Sequence, residues 1–514
     1  MGAELTPQQC CEVCGADAFC AAAVWHVGHN AWTGAPVGQC VLKAASDVAH
    51  RVARANYTAI VPAARSAWQT VSIAATVPGD LVTDLQRAGI LDDPLFATNF
   101  KNASVWNGPA WNVSTTFDLP GTGVPSQLLV FEGIKMGAKV WLNGHHLGNA
   151  SDQHRRYVFH VAPLLRPAGN QLTVSFDPSI DMSAGRFMGC SGGWDWAPYS
   201  NARDPGSGLP TFTKGVWKSV YLVPVNVNSA AITSLVPLVK YTGASWPTTP
   251  MAEGSAPFVV DTRVFLRAEH PVSGELTVTG SWGDSATTRV SLGGGGETTR
   301  VSVSVVATGP KLWWARGMGR NSTMYTVTAT FVPSGDDGAT VQADAGQRVS
   351  AKRRIGFRHL VLVTVKDTDP GEVAAARTLE GNGNHTLMLR LNGAPVVGLG
   401  ANMVPMEILE GRYAVGMHRQ IVQSAADGGM SLLRVWGGGI YPYEEWFDAC
   451  DELGVLSIVD MMYGTDGSGR APDQPDPQPT LEQAAEFRDN VRRMSHHPSL
   501  AMCKYLVMCP GCSN

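Results

Sequence analysis

Apolar and polar residues alternate along most of the first 355 residues, in short runs that glycine, proline or asparagine interrupts. The segments LLVFEGI, AKVWLNGHHLG, RYVFHV and QLTVSFD show this period of two. The pattern is typical of short strands in β-sandwiches, where one face of each strand is buried. Asn-Gly dipeptides at Asn143-Gly144 and Asn392-Gly393 predict tight hairpins between such strands.

The pattern changes in the last third of the chain, over residues 432–460. The short apolar run LLRV is followed by Trp436 and three glycines, and Trp446, Cys450 and Leu453 then fall on one helical face. A second apolar run, VLSIV, ends at Asp460. Strand, helix and strand in this order predict a parallel sheet.

A further apolar run, from Val396 to Leu399, predicts the first strand of this sheet, with its end at Asn402. In a (β/α)₈ barrel, the side chains at the carboxyl ends of the strands line the active site. Trp436 and Asp460 occupy two more such ends. An aromatic face and a carboxylate suit a sugar, because its C–H face stacks and its hydroxyl groups need acceptors.

Length and charge narrow the class of protein. With 514 residues, and roughly 100–200 residues per domain, the chain is expected to contain three or four domains. The net charge of −4 gives no reason to expect nucleic acid or an anionic membrane as a partner. No apolar run approaches the roughly 20 residues that span a bilayer, and no signal peptide is visible at the start.

Cysteines and sequons nevertheless favour a secretory route, and we expect a lysosomal or extracellular protein whose start is missing or misassigned. Five cysteines fall within the first 40 residues, where so small a core needs disulfide support. Because five is an odd number, one of these cysteines is free or has lost its partner. Chance in a Ser/Thr-rich sequence is the alternative explanation of the sequons. The disulfide candidates are Cys10, Cys11, Cys14, Cys20 and Cys40. The glycosylation candidates are Asn56, Asn102, Asn112, Asn149, Asn321 and Asn384.

Several motifs resemble the β-mannosidases of glycoside hydrolase family 2. VPGDLVTDLQRAGILDDPLF, FEGIKMGAKVWLNGHHLG and GVWKSVYLVPV resemble its sugar-binding jelly-roll, and PKLWWARGMGRNSTMYT resembles its second sandwich. RVWGGGIY and DACDELG resemble its barrel, while CCEVCGADAFCAAAVWH resembles a PAN/apple-like module. The resemblance implies a multidomain β and α/β protein. Its expected domains are a cysteine-rich apple-like module (6–60), a β-jelly-roll (65–225), an immunoglobulin-like β-sandwich (226–355) and a partial (β/α)₈ TIM barrel (356–514).

The resemblance also implies which residues meet the substrate. GCSGGWDWAPYSN is similar to the GWDWGP loop of β-mannosidases, so Trp194 and Asp195 are expected to contact the sugar in the −1 subsite. A charged acceptor such as Asp195 distinguishes an axial from an equatorial hydroxyl, because a misplaced hydroxyl leaves a buried group unpaired. Trp436 is expected to form a wall of the pocket.

Three polar residues complete the predicted substrate site. Asn402 and Asp460 match polar positions of the family's barrel, although Met403 stands where the family has Trp after the Asn. Arg434 either fixes a carboxylate through two hydrogen bonds or forms a structural ion pair.

Other motifs are expected to be structural. His496 and His497 are adjacent, and a pair at i and i+1 points two ways on a regular element, so packing is favoured over metal ligation. The Cys509–Cys512 C-x-x-C motif lacks the helix that a redox site needs. The Trp313-Trp314 pair is expected to pack in a core. We therefore predict no metal and no cofactor.

Retaining glycosidases need two carboxyl groups about 5–5.5 Å apart, one as nucleophile and one as acid/base. In the family these are Glu residues at the ends of the fourth and seventh barrel strands. Here the acid/base position falls near Met508, and no Glu or Asp follows Asp489. We therefore predict no catalytic residue in this polypeptide and no hydrolysis by it, whether its end reflects a gene-model error or a truncated paralogue.

The leading hypothesis is a β-mannosidase-like hydrolase that removes terminal β-D-mannose with retention. Its expected partners are β-mannosides or N-glycan-derived oligosaccharides. An exo-β-glucosaminidase or endo-β-mannosidase relative is the alternative within this class. A non-catalytic carbohydrate-binding protein is the alternative from another class.

Overall fold

A computed structural model describes residues 20–29, 36–44, 57–60, 71–99, 110–119, 126–135, 137–176, 213–225, 228–243, 247, 249–334, 348–363, 388–462 and 480–504. Within them the chain is mostly β and forms several domains. Strands β1 (Cys20–His29) and β2 (Pro36–Ala44) make a separate antiparallel pair in which Trp25 lies opposite Cys40. The disulfide candidates Cys10, Cys11 and Cys14 lie outside the described residues.

Two sheets form the next domain, here called the first sandwich. One sheet has the order β4-β3-β5-β10-β7-β8 and the other β11-β6-β9, and a short helix, α1 (Leu81–Arg87), follows β4. Alternate residues of β5 and β7 are buried between the sheets, as the period of two predicts. The strands are β3 (Tyr57–Ile60), β4 (Ser72–Ala75), β5 (Trp111–Phe117), β6 (Ser126–Phe131), β7 (Ala138–Leu142), β8 (His145–Ala150), β9 (Tyr157–His160), β10 (Asn170–Phe176) and β11 (Val220–Val225).

Strand β3 joins this sheet although its residues fall within the range 6–60 of the expected cysteine-rich module. It pairs with β4 on one side and with β5 on the other. The edge of the first sandwich therefore reaches back at least to Tyr57. A four-residue strand without a clear period carries too little sequence signal to be assigned to one domain or the other.

The hairpin predicted at Asn143-Gly144 is confirmed. Leu142 lies opposite His145 across the β7–β8 turn, and Asn143 and Gly144 have φ angles of 51° and 82°. Two consecutive residues with positive φ are what a type I′ turn requires, and Asn-Gly meets that requirement with little strain.

The second sandwich packs a three-stranded sheet, β12-β13-β16, against a four-stranded sheet, β15-β14-β17-β18. Trp313 and Trp314 lie fully buried beside its core. Their indole N–H groups donate to the carbonyl of Asp451 and to Oε1 of Glu253, each at 2.8 Å, which agrees with the predicted packing role. The strands are β12 (Ala231–Tyr241), β13 (Pro257–Arg267), β14 (Val272–Gly280), β15 (Ser285–Leu292), β16 (Thr298–Thr308), β17 (Tyr325–Pro333) and β18 (Val349–Ile355).

A small antiparallel sheet then leads into a parallel one. The antiparallel strands are β19 (Leu360–Val363), β20 (Met388–Leu391) and β21 (Ala394–Val396). The parallel strands are β22 (Gly400–Met403), β23 (Leu432–Val435), β24 (Leu456–Asp460) and β25 (Leu500–Lys504), paired in that order. Helices connect them: α2 (Met417–Asp427), α3 (Glu444–Leu453) and α4 (Leu481–Met494). The strand–helix–strand reading of residues 432–460 is thus confirmed.

The prediction of a strand from Val396 to Leu399 is wrong. Val396 ends the β20–β21 hairpin, whose turn at Asn392-Gly393 was predicted, and Val397 and Leu399 are 70% and 63% exposed. The first parallel strand instead begins at Gly400, so Asn402 lies within it and not at its end. The apolar run crosses a break between two strands, and hydrophobicity alone does not mark such a break.

The helix ends follow from local chemistry. Gly454 terminates α3 with a φ of 70°, a conformation that glycine adopts without a Cβ penalty. Thr480 and Gln483 form a reciprocal capping box at the start of α4. Within the described residues, every helix is too short or too polar to cross a lipid bilayer.

Candidate substrate site at the ends of the parallel strands

Alternation along β23 decides which way its side chains face. Leu433 and Val435 are buried in the core that lies under the helices, together with Val422 of α2 and Trp446 of α3. Arg434, between them, therefore lies on the opposite face of the sheet. The same alternation along β24 buries Val459 with the helices and leaves Asp460 for the face that carries Arg434.

Three of the predicted site residues meet on this face. Arg434 Nε donates to Asp460 Oδ1 at 3.2 Å, and its Nη2 makes a second, short hydrogen bond to Asp460 Oδ2. Arg434 Nη1 donates to Oδ1 of Asn402 at 3.0 Å. Asn402 lies directly opposite Arg434 in the β22–β23 register, which makes this contact possible.

The cluster is an ion pair that solvent still reaches. The side chain of Arg434 is 31% exposed and that of Asp460 is 12% exposed. A guanidinium fork that binds both oxygens of a carboxylate fixes its orientation. Each carboxylate oxygen keeps a lone pair beyond the one that arginine uses, so Asp460 can also accept hydrogen bonds from a ligand. The two readings of Arg434, as a structural ion pair and as a group that orients a carboxylate, are therefore compatible.

Trp436 lies elsewhere on the same edge. Its half-buried ring packs against the core of the first sandwich, as do Tyr413 and Tyr443. The ring also covers Gly438, where a Cβ would stand 2.3 Å from an indole carbon. Glycine at 438 is thus required by the position of the Trp436 ring. The structure places this residue at the junction of the parallel sheet and the first sandwich.

The remaining predicted sites are only partly described. Trp194 and Asp195, together with the sequons at Asn56, Asn102 and Asn384, lie outside the described residues. Asn149 and Asn321 are exposed, whereas Asn112 is half-buried within β5.

A buried polar network that no sequence motif indicates lies near this edge. Lys135 Nζ and Glu410 Oε1 form a fully buried salt bridge of 2.6 Å, and Gln153 Nε2 donates to the same oxygen at 3.0 Å. Asp80 accepts hydrogen bonds from the Gly411 amide and from Thr213. The network joins the loop after β22 to the first sandwich. Lys135 and Glu410 are 275 positions apart in the sequence, so no local sequence pattern predicts their contact.

Glu407 adds a carboxylate to the loop that follows Asn402. The amides of Ile408 and Leu409 donate to Glu407 Oε1 at 2.9 and 3.1 Å. Burial raises the pKa of Glu407 above its ordinary value, and these amides offset only part of that effect. The single Glu among apolar residues in MVPMEIL was the available sequence signal for this group.

Comparison with known proteins agrees with this architecture. Residues 62–218 match the family model described as glycosyl hydrolase 2 galactose-binding domain-like. The chain is 24% identical over 475 residues to a β-mannosidase of Rattus norvegicus, covering 85% of this chain and 48% of that protein. It is 26% identical over 468 residues to β-mannosidase B of Emericella nidulans, with the same two coverages. The chain thus spans about half the length of these relatives.

Solved structures show the same fold. A β-D-mannosidase from Dictyoglomus thermophilum matches with a TM-score of 0.66 and 22% identity, covering 88% of this chain and 51% of that one. An exo-chitosanase from Amycolatopsis orientalis matches with a TM-score of 0.61 and 18% identity, covering 88% of this chain and 49% of that one. These structures share the fold of the chain. In sequence, the chain is similar to β-mannosidases over 85% of its length, and residues 62–218 match the glycosyl hydrolase 2 domain.

Proposed function

We propose that this chain recognises terminal β-linked mannose, and that its substrate site derives from the active site of a retaining β-mannosidase. The observation that carries the proposal is the Asn402–Arg434–Asp460 cluster on adjacent parallel strands. The relatives in sequence, β-mannosidases from a mammal and a fungus, supply the substrate class. The four parallel strands would then be the first four of a (β/α)₈ barrel, with the cluster at its mouth.

The cluster suits a sugar for a physical reason. Asp460, held by two hydrogen bonds from Arg434, offers acceptors whose direction is fixed before a ligand arrives. Fixed acceptors bind a hydroxyl in one orientation and leave an unpaired group when that hydroxyl is inverted. Trp194, Asp195 and Trp436 are proposed to complete the pocket as stacking surface and second acceptor. Their roles rest on motif resemblance.

Binding and hydrolysis are separate proposals. A retaining mechanism needs a nucleophile and an acid/base carboxyl, both at strand ends near the scissile bond. Within residues 1–514 the last acidic side chain is Asp489, on α4. We therefore propose that the polypeptide of residues 1–514 binds a β-mannoside without turning it over.

Calorimetric titration of the 514-residue protein with methyl β-mannoside and methyl β-glucoside tests the binding proposal. These ligands differ only at C2, where mannose carries an axial hydroxyl. We expect the mannoside to bind more tightly, and Asp460→Asn to remove that preference. Glu452→Gln, which alters an exposed carboxylate on α3, is the matched control and should have no effect. Equal affinity for the two sugars would reject the proposal.

The first 60 residues are proposed to hold an apple-like module, and the protein to be lysosomal or extracellular and glycosylated. The described β1–β2 pair supports a small sheet there, and the exposure of Asn149 and Asn321 supports their use as glycan sites. Peptide mass mapping of protein secreted from a eukaryotic host tests this. Unmodified asparagines and free thiols throughout the first 40 residues would contradict it.

A further inference from the structure

We propose that Glu444, His496 and His497 form a binding site for a transition-metal dication such as Zn²⁺. The proposal is independent of sugar recognition, because it concerns the opposite, helix-covered side of the parallel sheet. Histidine nitrogen and carboxylate oxygen are ligands that zinc accepts readily. The ligand atoms of these three side chains all lie within 4.8 Å of one another.

The local fold explains how two adjacent histidines converge. They occupy the turn between α4 and β25, where side chains do not alternate as on a strand. Their ring centroids are only 4.0 Å apart. Facing them is α3, whose Glu444, Asp448 and Asp451 follow at intervals of four and three residues and so share one helical face. Because the pair lies in a turn, the divergence expected for adjacent residues on a regular element does not apply to it.

The distances are close to those of a zinc site. His497 Nε2 lies 3.4 Å from Glu444 Oε1, and His496 Nε2 lies 3.9 Å from the same oxygen. With zinc bonds of about 2.0–2.2 Å, two ligands of a tetrahedral ion stand roughly 3.3–3.5 Å apart. The His497–Glu444 distance already falls in this range, and the His496–Glu444 distance is about half an ångström longer.

The surroundings of His497 select the nitrogen that faces the site. His497 Nδ1 is 2.7 Å from Asp451 Oδ2, and Phe447 stacks on the ring at a centroid distance of 4.9 Å. A carboxylate on one ring nitrogen presents the other to a metal, an arrangement common around zinc-bound histidines. His497 Nε2 is buried and makes no hydrogen bond within the described part of the chain.

Charge and access also suit a cation. Three carboxylates, of Glu444, Asp448 and Asp451, lie near the site, and Arg354 Nη1 lies 3.6 Å from Asp448 Oδ1. Arg493 Nη1, at 3.3 Å, engages Glu444 Oε2 and leaves Oε1 to the site. The Glu444 side chain is 46% exposed, whereas both histidine side chains are at most 3% exposed. The site thus opens on one side, where water can complete the coordination shell.

A proton competes for the same nitrogen. Burial opposes charge on His497, but Asp451 and Glu444 outweigh it and raise the pKa of His497 to about 9. Without metal, the same residues therefore form a buried histidinium ion pair. The experiment must distinguish these two occupants.

Isothermal titration of the metal-free 514-residue protein with ZnCl₂, after its accessible thiols have been alkylated, tests the proposal. We expect one site that Glu444→Gln or His496→Ala weakens at least tenfold, and that Asp451→Asn weakens about 10–100-fold. Co²⁺ at this site should give the visible absorption of a tetrahedral ion with nitrogen and oxygen ligands. Circular dichroism verifies that the variants remain folded, and Glu444→Gln is the least disruptive because Glu444 is exposed.

The matched control is the double variant His145→Ala/His146→Ala. These histidines are also adjacent but exposed, at the β7–β8 hairpin, and removing them should leave zinc affinity unchanged. The proposal is overturned if zinc does not bind, if Glu444→Gln binds as tightly as the unchanged chain, or if the hairpin variant abolishes binding. Any of these results would leave the histidinium ion pair as the occupant.

Discussion

Two ion pairs near the first strands of the parallel sheet differ mainly in their exposure to water. Lys135 and Glu410 join the first sandwich to the loop after β22, with side chains 0% and 1% exposed. Arg434 and Asp460 join β23 to β24, with side chains 31% and 12% exposed. Both pairs make short, charged contacts, but only the second can reach a ligand.

The difference separates a structural role from a binding role. Glu410 Oε1 accepts hydrogen bonds from both Lys135 and Gln153 in a site that solvent does not reach. The Lys135–Glu410 pair therefore serves to hold two domains together. The guanidinium of Arg434 fixes the orientation of the Asp460 carboxylate, which still faces solvent. Exposure therefore distinguishes these two carboxylates, which are alike in chemical type.

Disrupting the buried Lys135–Glu410 pair should have the largest effect on the free energy of unfolding. Burial raises the pKa of Glu410 even beside Lys135. Lys135→Met removes the cation that offsets this burial and leaves a buried carboxyl without its partner, which is expected to destabilise the folded chain by about 3–5 kcal/mol. Urea unfolding followed by tryptophan fluorescence measures this. Arg419→Met removes an exposed cation from Glu452 and, as the control, should change the unfolding free energy by less than about 1 kcal/mol. Similar losses in the two variants would remove the distinction between the pairs.

A third cation at the same junction has no carboxylate within salt-bridge distance in the described residues. Lys218 Nζ lies 4.3 Å from the Trp217 ring centroid and 5.1 Å from that of Tyr443. Burial, followed by repulsion from Arg493, lowers the pKa of Lys218 to about 7.

The pH dependence follows from this lowered pKa. Between about pH 7 and pH 10.5 the unfolded state keeps a proton on Lys218 that the folded state has lost, so stability should rise with pH. From pH 7 to pH 9 the gain over a Lys218→Met variant should be on the order of 2 kcal/mol. Paired urea titrations at the two pH values measure it. A constant difference between the variant and the unchanged chain would show that this lysine does not titrate there.

Altering the partly exposed Arg434–Asp460 pair should affect mannoside binding more than stability. Arg434→Lys keeps the charge but loses the fork that holds both oxygens of Asp460, so mannoside affinity should fall roughly tenfold. The unfolding free energy should change by less than about 1 kcal/mol, because the pair is partly solvated. Calorimetry and urea unfolding on the same sample separate the two effects. A large loss of stability with unchanged affinity would assign Arg434 a structural role.

Loss of the uncharged capping contact of Thr480 should have the smallest effect on stability among these predictions. Thr480→Ala removes the side-chain acceptor for the Gln483 amide at the start of α4 and should destabilise the chain by about 1 kcal/mol. Thr480→Ser keeps that acceptor and serves as the control. A loss as large as that of Lys135→Met would indicate that the unfolding assay does not resolve individual contacts.

The sequence predicted those parts of the fold that depend on local pattern. The period of two located the sandwich strands, and Asn143-Gly144 and Asn392-Gly393 located their turns. The helix carrying Trp446 and Cys450 also emerged, because one apolar face and a terminal glycine define it. Each of these signals lies within about a dozen residues of chain.

The parts that the sequence did not predict depend on distant residues or on irregular backbone. Lys135 and Glu410 are far apart in sequence, and neither belongs to a recognisable motif. The convergence of His496 and His497 depends on a turn, where no periodicity applies. Met403 of β22 is buried while the three residues before it are exposed, so an apolar run placed that strand too early.

A crystal structure of the 514-residue protein with methyl β-mannoside bound tests the central claim most directly. We predict a sugar hydroxyl oxygen roughly 2.6–3.2 Å from a carboxylate oxygen of Asp460, with the Arg434–Asp460 fork unchanged. A mannoside bound elsewhere on the molecule, or an unoccupied Asn402–Arg434–Asp460 cluster at saturating sugar, would contradict it.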